Sequence, residues 1–340
     1  MPWPASSATG VGSMPGTDPR EAIAVVLGEL PELPHLPELP ARGPGADLIG
    51  RTAGLLVGLP VQTTARGWKL AASPGRDLRR AADLLSEDLD VLEEAAEGFK
   101  GTFKVQACGP WTLAASVELS RSIEPALADD GAVADLAASL AEGLAGHVAA
   151  VRRRLPGATV LLQLDEPALP GVLAGSVPTA SGLYRLAAVD EAVAADRLRA
   201  VIDAAGAPAV VHCCAPEIPF PCITKGGATA ASFDLSLLRR SDEDAFGEAV
   251  EAGIGMFTGA VPTEPATGPP GAEAAARATA TVVIDLWLRI GLPATGLADQ
   301  VVITPACGLA GASAGYARAA LSRCEAAARF IPELIEEGVR

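Results

Sequence analysis

The residues best suited to chemistry are a histidine and cysteines at the ends of apolar segments. In VVHCCA, His212 and Cys214 stand two apart, so in a strand both side chains project from the same face. Cys307 follows another apolar run, in ITPACG, and Asp234 ends TAASFD between them. An imidazole, two thiolates and a carboxylate form a donor set that suits zinc. The sequence therefore predicts one zinc site, with the ligands His212, Cys214, Asp234 and Cys307.

The donor set also indicates what the site does. A zinc ion that accepts a further thiol lowers the pKa of that thiol and presents it as a nucleophile at neutral pH. Taken alone, His212 and Cys214 are equally typical of a buried core pair, since free cysteine is among the most buried residue types. The strand-end positions of Cys307 and Asp234 favour the metal site, and activation of a small thiol is the predicted chemistry.

Two further motifs place polar groups at strand ends. In LLQLDEPAL an apolar strand ends in Asp165 and Glu166, whose carboxylates can bind an ammonium group; a helix-dipole or N-cap role for the next segment is the alternative. VGSMPG offers backbone N–H groups and the Ser13 hydroxyl to a carboxylate, and a plain turn is the alternative. Both motifs fit an acceptor that is an amino acid.

Positioning these residues requires strands whose carboxyl ends converge. Eight short apolar or β-branched segments alternate with longer segments of helical spacing, which is typical of a parallel sheet. The predicted strands lie near residues 8–14, 33–39, 102–108, 158–165, 208–214, 229–235, 254–260 and 300–306. The predicted helices are Asp77–Phe99, Asp130–Arg154, Asp190–Ala205, Leu237–Ala252, Gly271–Ile290 and Ala312–Glu337. The second strand is the least regular, because three prolines interrupt LPHLPELP and proline cannot donate to a ladder.

This alternation predicts an α/β fold of one domain, a (β/α)8 TIM barrel over residues 1–340 with its active site at the carboxyl ends of the strands. An open nucleotide-binding sheet is the competing fold. No G-x-G-x-x-G follows the first apolar segment, which argues against that fold.

Composition excludes several classes of function. The net charge of −15, from 41 acidic and 26 basic residues, argues against nucleic acid or an anionic membrane as a partner. No uninterrupted apolar stretch reaches the length of a membrane span, and MPWPASSATG does not resemble a secretory signal, so a cytoplasmic location is expected. In that setting the six cysteines are expected to be free, metal-bound or catalytic rather than paired.

Taken together, these motifs resemble the C-terminal catalytic barrel of the cobalamin-independent methionine synthases. The resemblance spans nearly the whole chain, and the pieces occur in the order of the family. The matching pieces are VGSMP at 11–15, ELPARG at 38–43, CGPWTL at 108–113, LQLDEPAL at 162–169, HCC at 212–214, SFD at 232–234 and PACGL at 305–309. The H-x-C motif with the downstream CGL and the strand-end DEPAL forms the specific part of the match.

The resemblance implies zinc ligands at His212, Cys214 and Cys307, with Asp234 where the family usually has glutamate. It also implies that the carboxylate of homocysteine lies near Val11 and Ser13. The homocysteine ammonium would then lie near Glu38 and Asp165.

The sequence departs from the family in the part that handles the methyl donor. The full-length family has two barrels, whereas this chain is expected to supply one. In addition, TGAVPT at 258–263 lacks the histidine that the family uses to protonate the folate leaving group. The tryptophan expected beyond GP is also replaced, near Ser116; Trp111 offers another stacking surface, with core packing as its alternative. These departures predict a methylcorrinoid donor, methylcobalamin or a corrinoid protein, in preference to a methyl folate.

The sequence thus predicts a zinc-dependent methyltransferase that converts homocysteine to methionine. Two alternatives stay open at this point. The first is a methyltransferase or alkyltransferase of the same fold that acts on another thiol. The second is a non-catalytic zinc or amino-acid binding protein, which a closed site of four protein ligands would favour.

Overall fold

The computed structural model describes residues 1–265 and 271–338, and its centre is one curved parallel sheet. Six strands form the sheet in the order in which they occur in the chain. They are β3 (Gly101–Cys108), β4 (Ala158–Asp165), β5 (Ala209–Cys213), β6 (Ala230–Asp234), β7 (Gly255–Val261) and β8 (Val301–Pro305). A separate antiparallel hairpin, β1 (Val61–Thr64) and β2 (Gly67–Leu70), was not predicted from the sequence.

The first two predicted strands, 8–14 and 33–39, do not form regular strands, and this corrects the expected count of eight. Single parallel bridges join them in series: Ala8 to Ile303 of β8, Ser13 to Glu38, and His35 to Lys104 of β3. Proline explains the second segment, since it removes ladder donors. The two segments therefore connect β8 to β3 as a seam, a name we use below for residues 8–14 and 33–39.

Alternation along the strands sorts side chains between the inside and the outside of the curved sheet. Leu161, Val210, Phe257 and Val302 form a small apolar cluster inside it, capped by Trp3, whose ring meets Phe257 edge-on with centroids 4.9 Å apart. Continuing two residues at a time along β4, β5 and β8, the inward side chains become polar, at Gln163, His212 and Thr304. The apolar layer thus closes the amino ends of the strands and leaves the polar positions for the carboxyl ends.

Twelve helices surround the sheet in the described residues. They are α1 (Pro19–Glu29), α2 (Leu48–Ala53), α3 (Arg76–Ala95), α4 (Pro110–Ser116), α5 (Asp130–Arg154), α6 (Leu169–Leu173), α7 (Glu191–Ala205), α8 (Phe220–Lys225), α9 (Glu243–Glu251), α10 (Ala272–Arg289), α11 (Leu297–Gln300) and α12 (Ala314–Glu336). All six predicted helices are present. The start of α9 was predicted too early, at Leu237, because single 3-10 turns at Leu235–Leu237 and Arg240–Asp242 precede it. No helix in the described ranges is long and apolar enough to cross a membrane.

A buried histidine in α5 should make stability depend on pH. His147 is buried and its Nε2 has no hydrogen-bond partner among the described residues. Burial first, and then the charges of Arg51 and Arg154, lower the pKa of His147 to about 3. The unfolded chain binds this proton at its ordinary pKa, so the native state loses stability as the pH falls below about 6.5.

We expect His147→Leu to flatten this dependence. Between pH 7.5 and 5 the variant should lose about 2 kcal/mol less unfolding free energy than the parent, as 1.36 kcal/mol per pH unit for one proton implies. Urea unfolding of both proteins at several pH values measures the difference. Parallel curves for parent and variant would contradict it.

Candidate metal centre and acceptor pocket

Three of the four predicted zinc ligands converge at the carboxyl ends of the strands. His212 is in β5, Cys214 is the first residue after that strand, and Cys307 lies two residues beyond β8. One ligand atom from each of these residues lies within 4.8 Å of those of the other two. The sulfur atoms of Cys214 and Cys307 are 3.2 Å apart, and both cysteines are free and half-buried.

The imidazole of His212 is oriented by the neighbouring strand. Its Nδ1 lies 2.9 Å from the hydroxyl oxygen of Ser232, its partner in the β5–β6 register. Its Nε2 is buried and has no hydrogen-bond partner in the described part of the chain. A ligating histidine commonly has one nitrogen fixed by a hydrogen bond, so that the other is free for the metal.

This donor set fits zinc. Two thiolates that each lie about 2.3 Å from a tetrahedral zinc ion are about 3.8 Å apart, so the sulfur pair must separate by only about half an ångström. An orphaned imidazole nitrogen and two thiols within reach are ligands that zinc prefers. With three protein ligands, one coordination position is left for an incoming group.

The two thiols differ in how readily they ionise. The contact with Cys214 is the main reason that the pKa of Cys307 is lowered to about 4, and the nearby His212 acts in the same direction. The same contact, together with burial, raises the pKa of Cys214. Cys307 is therefore the thiol of the pair that ionises more readily.

Asp234, the fourth predicted ligand, is not part of this group of atoms. Its Oδ1 accepts hydrogen bonds from the backbone N–H and the hydroxyl of Ser236, at 2.8 and 2.7 Å. The aspartate thus caps the 3-10 turn Leu235–Leu237. The local bond directs the carboxylate to its own backbone, and direct ligation by Asp234 stays a prediction that this geometry does not favour.

A cavity of about 260 Å³ opens on the three converging residues. It brings together every residue that was predicted to bind the acceptor. The lining includes Val11, Ser13, Glu38, Asp165, His212, Cys214 and Cys307. The seam thus supplies one wall of the cavity, and β4, β5 and the segment after β8 supply the other.

The two carboxylates of the cavity are buried and differently supported. Glu38 lies 3.6 Å from the Nε of Arg51, and its Oε1 has no hydrogen-bond partner among the described residues. Burial, opposed by Arg51, raises the pKa of Glu38 to about 7. Asp165 accepts a hydrogen bond of 2.7 Å from the amide of Gln163. A cation that enters the cavity would therefore stabilise the charged form of both carboxylates.

Sequence reasoning missed the arginines and the lysine around these carboxylates. Arg51 also binds Asp88 at 2.5 Å, and Asp88 binds Arg42 at 2.6 Å, so Glu38 belongs to a buried chain of alternating charges. Lys104 is fully buried in β3. A charged residue inside the apolar run TFKVQAC was the available signal, since a lysine is almost never fully buried without partners.

Asp165 and Glu166, which looked alike in the sequence, have different roles. Glu166 points away from the cavity and accepts hydrogen bonds from the backbone N–H groups of Trp111 and Thr112, at 2.9 and 2.7 Å. Glu166 is thus a helix cap, but it caps the preceding helix α4 and not the segment that follows it, as the capping alternative had supposed. Trp111 is buried with its indole N–H bonded to the carbonyl of Ala194, so its core-packing alternative is confirmed.

The backbone of the first seam segment leaves donors near the cavity. Its backbone hydrogen bonds use the N–H groups of Thr9 and Met14 and do not include those of Val11, Gly12 or Ser13 in the described structure. A regular ladder strand would have satisfied these groups in pairs with its neighbours. They are the donors that the VGSMPG motif was predicted to offer.

The catalytic-domain model of the cobalamin-independent synthases matches residues 6–330, nearly the whole chain. The chain belongs to the cobalamin-independent methionine synthase family. No curated protein matches the chain in sequence.

A solved structure of a methionine synthase also resembles this chain in its fold. The structure of a B12-independent methionine synthase from Shewanella sp. W3-18-1, solved in complex with selenomethionine, superposes with a TM-score of 0.63 at 13% identity. The match covers 98% of this chain and 99% of that chain, so the two have similar lengths. The expectation of a methylcorrinoid donor loses support here, since both descriptions name enzymes independent of that cofactor.

Proposed function

We propose that the protein is a zinc-dependent S-methyltransferase that converts homocysteine to methionine. The observation that carries this proposal is a single cavity lined both by His212, Cys214 and Cys307 and by groups suited to an amino acid. The Shewanella protein, of similar length, was solved with an analogue of methionine, the proposed product.

The cavity has groups that would bind both the ammonium and the carboxylate of an amino-acid acceptor. Glu38 and Asp165 are the carboxylates that would bind the ammonium, and the buried Oε1 of Glu38 gains a donor by doing so. The free N–H groups of Val11, Gly12 and Ser13 would bind the carboxylate. This pairing follows from charge alone, since a buried charge is retained only beside a partner.

His212, Cys214 and Cys307 are the residues that would hold zinc at the far end of the cavity. Zinc bound there supplies Lewis acidity, which lowers the pKa of an acceptor thiol to near neutrality. Ser232 holds the His212 ring in place for this role. In the transfer itself, a sulfur lone pair forms the new S–C bond, and the electrons of the broken bond leave with the donor.

The test of this proposal compares two methyl donors. Zinc-loaded protein is mixed with homocysteine and, separately, with methyl folate or methylcobalamin at equal concentration, and methionine is quantified. We expect methionine to form with at least one of the two and to require both zinc and homocysteine. Zinc-loaded protein that binds homocysteine but forms no methionine with either donor would favour the non-catalytic binding protein.

We also propose that the chain is one domain over residues 1–340 with a closed barrel. The bridges of the seam support this reading, because they connect β8 to β3 and leave neither strand as a free edge. The seam segments would then occupy the places of the first two strands of a (β/α)8 barrel.

A further inference from the structure

The most unusual buried group that the proposed chemistry does not use is Lys104. Its Nζ lies inside the curved sheet and donates to the carbonyl of Val11 at 2.9 Å and to the Oε1 of Gln163 at 2.6 Å. Both acceptors are neutral, whereas the carboxylates whose charges act on Lys104, Asp165 and Glu38, line the cavity. Burying an ammonium is costly, so a structural explanation alone would call for a direct carboxylate partner.

Lys104 holds the oxygen end of the Gln163 amide, and two acceptors hold its NH₂ end. An ammonium has donors only, so the amide oxygen must face Lys104 and the NH₂ group must face the other way. That NH₂ group donates to the Asp165 carboxylate at 2.7 Å and to the Val11 carbonyl at 2.8 Å. The Val11 carbonyl and the Asp165 carboxylate are acceptors only and require the same orientation, so without Lys104 the amide oxygen would lose its side-chain donor.

The chain of bonds from Lys104 to Asp165 ends at the proposed ammonium site. Asp165 uses Oδ1 to accept from Gln163 and lines the cavity. The backbone of Lys104 also bonds to the seam: its N–H donates to Pro34 and its carbonyl accepts from Leu36. Lys104 is therefore tied to β4 and to both seam segments, which carry the acceptor-binding groups.

We propose that Lys104 is a positioning residue for the amino group of the acceptor, acting through Gln163 on Asp165. This inference rests on the proposed function, because it assumes that an amino-acid thiol occupies the cavity. Lys104 does not touch that ligand. It sets the direction of one carboxylate oxygen, and it thereby favours thiols that carry an ammonium over those that do not.

The test compares two thiols that differ only in the amino group, homocysteine and 4-mercaptobutyrate. Calorimetric Kd values are measured for the zinc-loaded parent, Lys104→Met and Gln163→Leu. We expect each variant to weaken homocysteine binding by about 10–100-fold, as loss of an outer-shell partner commonly does. Binding of 4-mercaptobutyrate should weaken by a much smaller factor, so that the ratio of the two Kd values falls.

The double variant and a control separate this role from a general loss of stability. Lys104→Met with Gln163→Leu should lose no more homocysteine affinity than the larger single loss, within about twofold, because the two residues act in one chain. Thr102→Val serves as the control: it removes a hydrogen bond of β3 that lies outside this chain of bonds, that of the Thr102 hydroxyl to the Pro2 carbonyl. Its Kd ratio should equal that of the parent.

The outcomes distinguish this inference from the function on which it rests. A parent that binds neither thiol would overturn the proposed function and the inference together. A parent that binds homocysteine, with variants that lose both thiols equally or lose neither, would overturn the inference alone. If Lys104→Met does not fold, Gln163→Leu gives the same decision, since it breaks the same chain at its second link.

Discussion

Replacing Cys307 with serine is expected to lower zinc affinity by more than about 100-fold, beyond the usual loss for an outer-shell partner. The reason is that Cys307 is one of three converging ligands and the thiol of the pair that ionises most readily. Serine keeps the size of the side chain and removes the soft thiolate. Zinc per chain after dialysis, measured by mass spectrometry, should fall from about one to near zero.

Two control variants make this result specific. Cys213→Ala removes the thiol next to Cys214. Alternation in β5 places the side chain of Cys213 on the side of the strand opposite to that of His212. This variant should retain zinc. Asp234→Asn tests the remaining predicted ligand, and the bond of Asp234 to Ser236 leads us to expect unchanged zinc content. Full zinc occupancy in Cys307→Ser would show that the site lies elsewhere.

Replacing Asp165 with asparagine is expected to weaken homocysteine binding by about 10–100-fold, the equivalent of about 1.5–3 kcal/mol for a hydrogen bond to a charged group. Asp165 is buried in the cavity, where its charge is poorly screened by water. Glu38→Gln should have an effect of the same sign, since Glu38 lines the same cavity. Calorimetry on the zinc-loaded proteins gives both values.

The matched control for this prediction is again a ligand that lacks the amino group. A thiol without an amino group, 4-mercaptobutyrate, should bind the parent and Asp165→Asn with similar affinity. Zinc content should be unchanged, because Asp165 is not among the converging ligand atoms. Equal homocysteine affinity in the parent and in both carboxylate variants would exclude this cavity as the ammonium site.

The convergence of His212, Cys214 and Cys307 was predictable because each ends an apolar run. Parallel strands bring such ends to one edge, whatever the details of packing. The position of Asp234 was not predictable in the same way. A residue two positions later, Ser236, satisfies its carboxylate locally, and such short-range competition is not visible in strand patterns.

The polar interior beneath the cavity shows a second limit of sequence reasoning. Alternation puts Gln163 and Asp165 on one side of β4, but the partner of Gln163 is Lys104 of β3, 59 positions earlier in the chain. Only the β3–β4 register, which pairs Lys104 with Leu161, brings them into reach. Long-range register depends on the whole fold, whereas strand ends can be read locally.

The seam has a consequence for how a ligand reaches the cavity. Opening a six-strand ladder breaks many hydrogen bonds at once, whereas the seam is joined to its neighbours by single bridges. Local stability follows the number of such bonds and contacts, so amide hydrogens near residues 10–13 should exchange with solvent sooner than those of β4 or β5. The wall that recognises the amino acid is thus expected to open more readily than β5, the ladder strand that carries His212.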